Sequence, residues 1–190
     1  MPSLQVIVAS TRPGRIGLPI GQWAYRRASG HGGFDVELVD LAEQNLPFMD
    51  EPNHPRLRRY VHEHTKAWSA KVDAADAFVF VTPEYNFGYP ATLKNAVDFL
   101  FQEWATKPCG LFSYGGVAAG TRSAQLVKPV LGAVGLVVVP EAVAVPFAGK
   151  LVSDGDFHPT EAVESSTDAM LDSLVRWSTT LSPMRRAEQD

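Results

Sequence analysis

One cysteine, Cys109, stands in 190 residues. That excludes a disulfide framework within the chain, and with it a cysteine-ligated zinc or iron–sulfur centre. A reducing, cytoplasmic compartment is the expectation. Positive charge is also scarce. Seventeen Lys and Arg against 21 Asp and Glu leave a net charge of −4, whereas a nucleic-acid footprint needs a basic domain. The short run Arg56, Arg58, Arg59 reads as a solvated helix face. Long apolar runs are missing too. The greasiest stretch, 130–149, contains Pro140, Glu141 and Pro146 and lacks basic flanks, which suits a buried helix end plus a strand rather than a membrane span. The opening Met1-Pro2-Ser3-Leu4-Gln5 has neither a basic start nor an apolar signal core. Neither nucleic acid nor membrane is an expected partner.

What is present is ordinary for a globular chain: 45% hydrophobic and 20% charged residues. A single domain over 1–181 with a polar, frayed tail at 182–190 is expected. Strand, loop and helix alternate throughout. Leu4 to Ala9 is a compact apolar run suited to a strand buried on both faces. A helix follows from about Ile16, with Pro19 in its first turn, where a missing N–H costs little. Val36 to Asp40 partly alternates, as an edge strand does. Leu57, Tyr60, Val61, His64, Trp68 and Val72 recur at helical spacing. Ala77 to Val81 is a second fully buried strand. Pro90 opens a helix whose Leu93, Ala96, Val97, Leu100 and Phe101 form one apolar stripe.

Cys109 to Tyr114 is a further strand, which makes Cys109 an inert core thiol. Leu126, Val127, Val130, Leu131 and Val134 form another stripe, with Pro129 inside it. Leu136–Val139 and Ala142–Val145 read as one strand interrupted at Pro140. A last helix spans about Thr160 to Leu181. Five strands alternating with helices imply an α/β fold, a doubly wound parallel sheet with helices on both faces. Strands one and three are the most apolar, and two and five look like edges. The order 2-1-3-4-5 satisfies both patterns; it is the flavodoxin-like winding.

Ligands in such sheets sit beyond the carboxyl ends of the strands. Three loops there can carry function: 10–17, 83–89 and 113–120. The first offers Ser10, Thr11, Arg12 and Arg15 just before a helix. Hydroxyls, helix-terminal amides and guanidinium forks all suit phosphate oxygens. It has neither the Gly-x-Gly-x-x-Gly spacing nor a Gly-Lys-Ser/Thr ending, so a terminal phosphate fits better than a buried pyrophosphate. A solvated loop with capping hydroxyls is the equal alternative from these residues alone. In the second loop two prolines, Asn86 and Gly88 fix the backbone, while Tyr85, Phe87 and Tyr89 offer flat apolar faces. Such a wall suits a planar ring, or else a turn whose aromatics join the core.

Thr82-Pro83-Glu84-Tyr85-Asn86 followed by Pro90-Ala91-Thr92-Leu93-Lys94-Asn95-Ala96-Val97-Asp98 resembles the signature of NAD(P)H-dependent FMN reductases, a family that includes quinone, azo-dye and chromate reductases. The likeness extends to 9–15, to Asn45-Leu46-Pro47-Phe48-Met49-Asp50-Glu51 and to Ser113-Tyr114-Gly115-Gly116, so it covers Leu4 to about Val145. It implies that Ser10, Thr11, Arg12, Arg15 and the amides of Ile16 and Gly17 hold the FMN phosphate. It further implies that Pro83, Glu84, Tyr85, Asn86 and Phe87 line the flavin ring and that Ser113, Tyr114, Gly115 and Gly116 close the third side. NADPH or NADH is then the co-substrate and a small molecule the acceptor, in a homodimer or homotetramer, with no protein acid or base required for hydride transfer.

Competing chemistries leave weaker traces. A flavodoxin-type electron carrier would share the fold, but its long Thr- and Gly-rich phosphate loop is absent. Leu111-Phe112-Ser113-Tyr114-Gly115 resembles a hydrolase nucleophile elbow, with Asp154, Asp156 and His158 following in order. However, its first glycine is replaced by Leu111. His62 and His64, two apart on an expected helix, should point away from each other, so no metal site is expected. Glu84 near Asp50-Glu51 reads as structural, at a subunit contact.

Overall fold

The computed structural model describes residues 1–187. In chain order the main elements are β1 (Ser3–Val8), α1 (Gly17–His31), β2 (Asp35–Asp40), α2 (Leu41–Gln44), α3 (Glu63–Asp73), β3 (Ala77–Pro83), α4 (Ala91–Asp98), β4 (Pro108–Tyr114), α5 (Thr121–Ala133), β5 (Val137–Val138) and β6 (Val143–Val145). A short antiparallel pair, β7 (Val152–Ser153) and β8 (Asp156–Phe157), precedes α6 (Glu161–Ala187). The main sheet has the order β2-β1-β3-β4-β5, and every neighbouring pair is parallel. Both β5 and β6 pair with β4, on either side of the break at Pro140, so the interrupted strand is as expected.

Two buried layers hold helices to the sheet. Ile20, Ala24 and Ala28 of α1 and Met170, Leu171 and Leu174 of α6 cover one face. Trp68 and Val72 of α3, Leu93 and Val97 of α4, and Val127 and Leu131 of α5 cover the other. β3 and β4 are buried at every position, which is why they read as continuous apolar runs rather than alternating ones.

The structure corrects several sequence expectations. The stripe starting at Leu57 is not one helix. Pro55–Leu57 is a single 3-10 turn stopped by Arg58 at φ 47°, and α3 begins only at Glu63; Leu57 and Val61 remain exposed. The basic run is therefore not a helix face. The Arg58 guanidinium reaches Asp73 at 3.1 Å and the wholly buried Glu103 at 3.2 Å, and Arg56 covers the Phe101 ring at 4.3 Å. Glu103 also accepts from the Tyr60 and Ser69 hydroxyls at 2.9 and 2.6 Å. Burial, then the facing carboxylate, pushes the Tyr60 phenol pKa up.

α4 ends at Asp98, short of Leu100 and Phe101. Two indole N–H groups replace the missing next turn: Trp68 donates to the Ala96 carbonyl at 2.9 Å and Trp104 to that of Val97 at 3.1 Å. Leu126 is exposed on α5 rather than part of its buried stripe. α6 continues through Pro183 to Ala187, past the expected end at Leu181. Residues 188–190 of the expected tail lie outside the described residues.

Candidate active site

The site begins where β1 runs out. The Ala9 amide still bonds the Val81 carbonyl at 3.0 Å, and the next residue, Ser10, is fully buried. Its Oγ makes no well-formed hydrogen bond, and the Tyr114 hydroxyl is its neighbour beside Gly17. A buried hydroxyl without such a bond costs about 1–3 kcal/mol, so it points to a ligand. The loop then closes with the Arg15 amide on the Arg12 carbonyl at 3.1 Å, and α1 starts at Gly17. No side chain caps α1, and no acidic residue occupies its first turn. The first amides of a helix lack intrahelical acceptors, and here they adjoin this serine. A Cβ on Gly17 would stand 2.2 Å from both Ser10 Oγ and Tyr114 Oη. Only glycine lets the helix end approach the serine this closely.

The two arginines of this loop differ. Arg15 is bound to the buried carboxylate of Asp40, which also accepts from the Ala42 amide at 3.0 Å. That pair ties the loop to the end of β2. Arg12 forms no ion pair among the described residues; its guanidinium lies 5.9 Å from the centre of the Tyr85 ring. Thus Arg12 is the available cation and Arg15 an anchored one.

Residues after β3 form the second wall. The Glu84 amide donates to the Tyr114 carbonyl at 3.2 Å. Tyr85 and Gly88 exchange both N–H···O bonds at 2.9 Å around Asn86 (φ 49°) and Phe87 (φ 72°). Two consecutive left-handed residues are the hallmark of a type I′ hairpin turn, for which asparagine is suited and phenylalanine is not. The Glu84 side chain is tied within its own chain. Its carboxylate accepts from the Arg122 guanidinium at 2.6 Å and from the Arg122 amide at 3.2 Å, at the start of α5.

The third wall follows β4. Tyr114 is buried, and burial pushes its phenol pKa up. Ser113 is 2% exposed and donates to the Ala119 carbonyl at 3.0 Å. That hydroxyl is a tie across the loop, so the elbow-like motif presents no nucleophile. Sequence reasoning missed a fourth wall, Phe147 to Lys150. The Phe147 and Ala148 amides bond the carbonyls of Gly116 and Gly115, both at 3.0 Å. Extending the rule of carboxyl-end loops to the strand ending at Val145 would have found it.

Together these walls enclose a crevice of about 460 Å³ lined by Arg12, Arg15, Ile16, Pro83, Glu84, Tyr85, Tyr114, Gly115, Gly116, Phe147, Gly149 and Lys150. Of the sequence candidates, Ser10 and Gly17 lie behind this lining at the α1 terminus, whereas Thr11, Asn86, Phe87 and Ser113 are not part of it. His62 and His64 do not diverge. His62 precedes α3 in extended conformation, so the two rings stack at 5.2 Å, and His64 Nε2 lies 2.9 Å from Asp50. No group of three or more metal-ligating side chains able to hold a metal ion occurs among the described residues. No helix among them is long and apolar enough to cross a membrane.

Residues 2–150 match the family model for NADPH-dependent FMN reductase. The chain is 41% identical over 160 residues to the NAD(P)H-dependent FMN reductase C4B3.06c of Schizosaccharomyces pombe, spanning 83% of this chain and 80% of that protein. It is 28% identical over 155 residues to the FMN-dependent NADPH-azoreductase of Staphylococcus saprophyticus, over 80% of this chain and 82% of that one. Among solved structures, the flavoenzyme NAD(P)H:(acceptor) oxidoreductase FerB of Paracoccus denitrificans superposes with a TM-score of 0.73 at 24% identity, covering 95% of this chain and 98% of FerB. That last likeness is one of fold.

Proposed function

The chain belongs to the NADPH-dependent FMN reductase family of oxidoreductases, and from that premise we propose that bound FMN takes a hydride from NAD(P)H and passes it to a small acceptor (a quinone, azo compound, flavin or metal oxyanion) by a ping-pong mechanism. Ser10 carries the reading. A buried hydroxyl with no well-formed protein hydrogen bond, set against an uncapped helix N-terminus, is a donor set for a dianionic monophosphate. Arg12 adds a charge-assisted donor from the same loop. Arg15 acts through Asp40, holding the loop in shape.

The remaining walls do positional work. Tyr85, fixed by its paired bonds with Gly88, stands at one side of the crevice. Tyr114, Gly115 and Gly116 supply a second side that small residues keep thin, and Phe147 and Lys150 border it. No side chain of the crevice is needed as an acid or base for hydride transfer, since the cofactor carries that chemistry.

A homodimer or homotetramer is part of the proposal. Phe48 is 84% exposed, and Met49 and Leu57 border a mostly apolar hollow of about 760 Å³ with Leu100 and Phe101. This hollow is larger than the crevice but lacks its convergent unpaired donors, and a second copy of the chain would cover it. Light scattering on the purified protein checks the assembly. The function is tested by anaerobic mixing of the FMN-loaded protein with NADPH or NADH. Bleaching of the flavin's visible absorbance, and parallel double-reciprocal lines with a quinone, are the expected results. No bleaching with either nucleotide would refute the reading.

A further inference from the structure

Four charged side chains line the crevice: Arg12, Arg15, Glu84 and Lys150. Two of them are neutralised within the protein, Arg15 by Asp40 and Glu84 by Arg122. Arg12 and Lys150 form no ion pair among the described residues, so the crevice offers two free cations. FMN brings one phosphate, and the Ser10 loop with Arg12 and the α1 terminus accounts for it. Lys150 is mounted elsewhere. Its turn follows β6, and the strand order β1-β3-β4-β6 puts three strand spacings, about 14 Å, between β1 and β6.

That mount is firmly held. Phe147 takes φ 48°, a left-handed conformation that a bulky residue keeps only where its surroundings fix it. Its amide and that of Ala148 bond the Gly116 and Gly115 carbonyls at 3.0 Å, and the Lys150 amide closes the turn on the Phe147 carbonyl at 2.8 Å. The Lys150 ammonium lies 5.4 Å from the centre of the half-exposed Phe147 ring. Beside it the wall is open, since a Cβ on Gly116 or Gly149 would meet nothing within 4 Å. A free ammonium at the open edge of a crevice suits an anion that comes and goes with solvent, whereas the buried Ser10 suits one that stays.

We propose that Lys150 anchors a phosphate of the incoming nicotinamide dinucleotide, which makes it a binding residue for the hydride donor and not for FMN. The proposal rests on the FMN reductase reading. Both NADH and NADPH carry a diphosphate and only NADPH a 2′-phosphate, and either group makes the same charge-assisted contact with an ammonium. A 2′-phosphate on Lys150 yields a preference for NADPH; the diphosphate yields none.

The test compares FMN-loaded wild-type, Lys150→Met and Lys150→Arg proteins. Lys150→Met should raise the NADPH KM about tenfold, the lower end of what one charged hydrogen bond gives, with a smaller change in kcat. Lys150→Arg keeps the charge and should recover most of the loss. Calorimetric titration of the oxidised holoprotein with 2′-phospho-ADP-ribose and with ADP-ribose, neither of which can donate a hydride, reads the contact without turnover. Weakening of the first alone in Lys150→Met assigns the 2′-phosphate, and equal weakening of both assigns the diphosphate. The FMN dissociation constant should stay within about twofold of wild type.

Unchanged KM for both nucleotides, with normal bleaching, would overturn the anchor alone. An FMN affinity that falls as far as the nucleotide affinity would also overturn it, because Lys150 would then belong to the FMN phosphate site. A failure of bleaching in the wild type would instead overturn the functional reading beneath it.

Discussion

Arg12→Ala and Arg15→Ala should fail in different ways, although both arginines sit in one loop three residues apart. Arg15 is 14% exposed and Asp40 only 5%. Deleting the Arg15 guanidinium leaves a buried carboxylate whose one remaining donor is the Ala42 amide. Breaking a buried pair from one side costs about 3–5 kcal/mol, and some residual solvent access lowers that to about 2–4 kcal/mol here. For a chain of this size that is a fall of about 5–15 °C in Tm. Arg12 has no ion pair to lose, so Arg12→Ala should change the stability of the FMN-free protein by no more than about 0.5 kcal/mol. Its cost should appear in FMN affinity. Losing a charged hydrogen bond of about 1.5–3 kcal/mol weakens binding about 10- to 150-fold. Urea denaturation of the apoprotein and fluorescence titration with FMN read the two quantities separately. The pair Arg15→Met with Asp40→Leu should regain stability that Arg15→Met alone loses. The reasoning is refuted if Arg15→Ala is as stable as wild type while Arg12→Ala binds FMN normally.

Other outcomes follow from single contacts. Ser10→Ala removes a hydroxyl that makes no well-formed hydrogen bond and has the Tyr114 hydroxyl as its neighbour, so stability in urea should change by no more than about 1 kcal/mol, while FMN titration shows affinity lower by about 1–2 kcal/mol. Gly17→Ala forces a Cβ to within 2.2 Å of Ser10 Oγ and Tyr114 Oη; overpacking there should cost about 1–3 kcal/mol in urea unfolding. Lys107 is buried under the carbonyls of Val72 and Asp73, and burial lowers its pKa to about 8. The unfolded chain therefore holds this proton between about pH 8 and 10.5 while the folded one has released it, so stability should rise with pH across that window relative to Lys107→Met and run parallel to it below pH 8. Equal pH slopes for the two proteins would contradict the assignment. The Cys109 thiol, fully buried and with its pKa pushed up by that burial, should resist iodoacetamide until the protein unfolds, as mass spectrometry would show.

Much of the fold was legible because burial on both faces writes itself as unbroken apolar runs. Val79, Phe80 and Val81 could belong only to an inner strand, and the polar alternation of Asp35 to Asp40 only to an edge. What escaped depends on contacts between distant segments. Leu57, Tyr60 and Val61 keep helical spacing, but Glu103, far along the chain, captures Arg58 and Tyr60 and holds the segment in an irregular path. A long-range contact also meets the end of α4 at Asp98, where the Trp68 indole takes the Ala96 carbonyl beside the nearby Trp104 indole on that of Val97. In the candidate site, Ser10, Arg12 and Gly17 stood out because hydroxyl, cation and glycine before a helix suit a phosphate, while the same residues also fit a solvated loop with capping hydroxyls. Arg15 was not separable from Arg12, since its partner Asp40 lies on another strand. Phe87 is absent from the crevice lining, and residue type alone does not report its left-handed backbone.

FMN and riboflavin differ by the phosphate that the Ser10 loop and the α1 terminus are built to hold. Titrating the apoprotein with each, at equal ionic strength, tests that claim without any turnover. FMN should bind at least about 100-fold more tightly than riboflavin, as the loss of two or more charged hydrogen bonds requires. Equal affinities would mean that the loop before α1 is not a phosphate site.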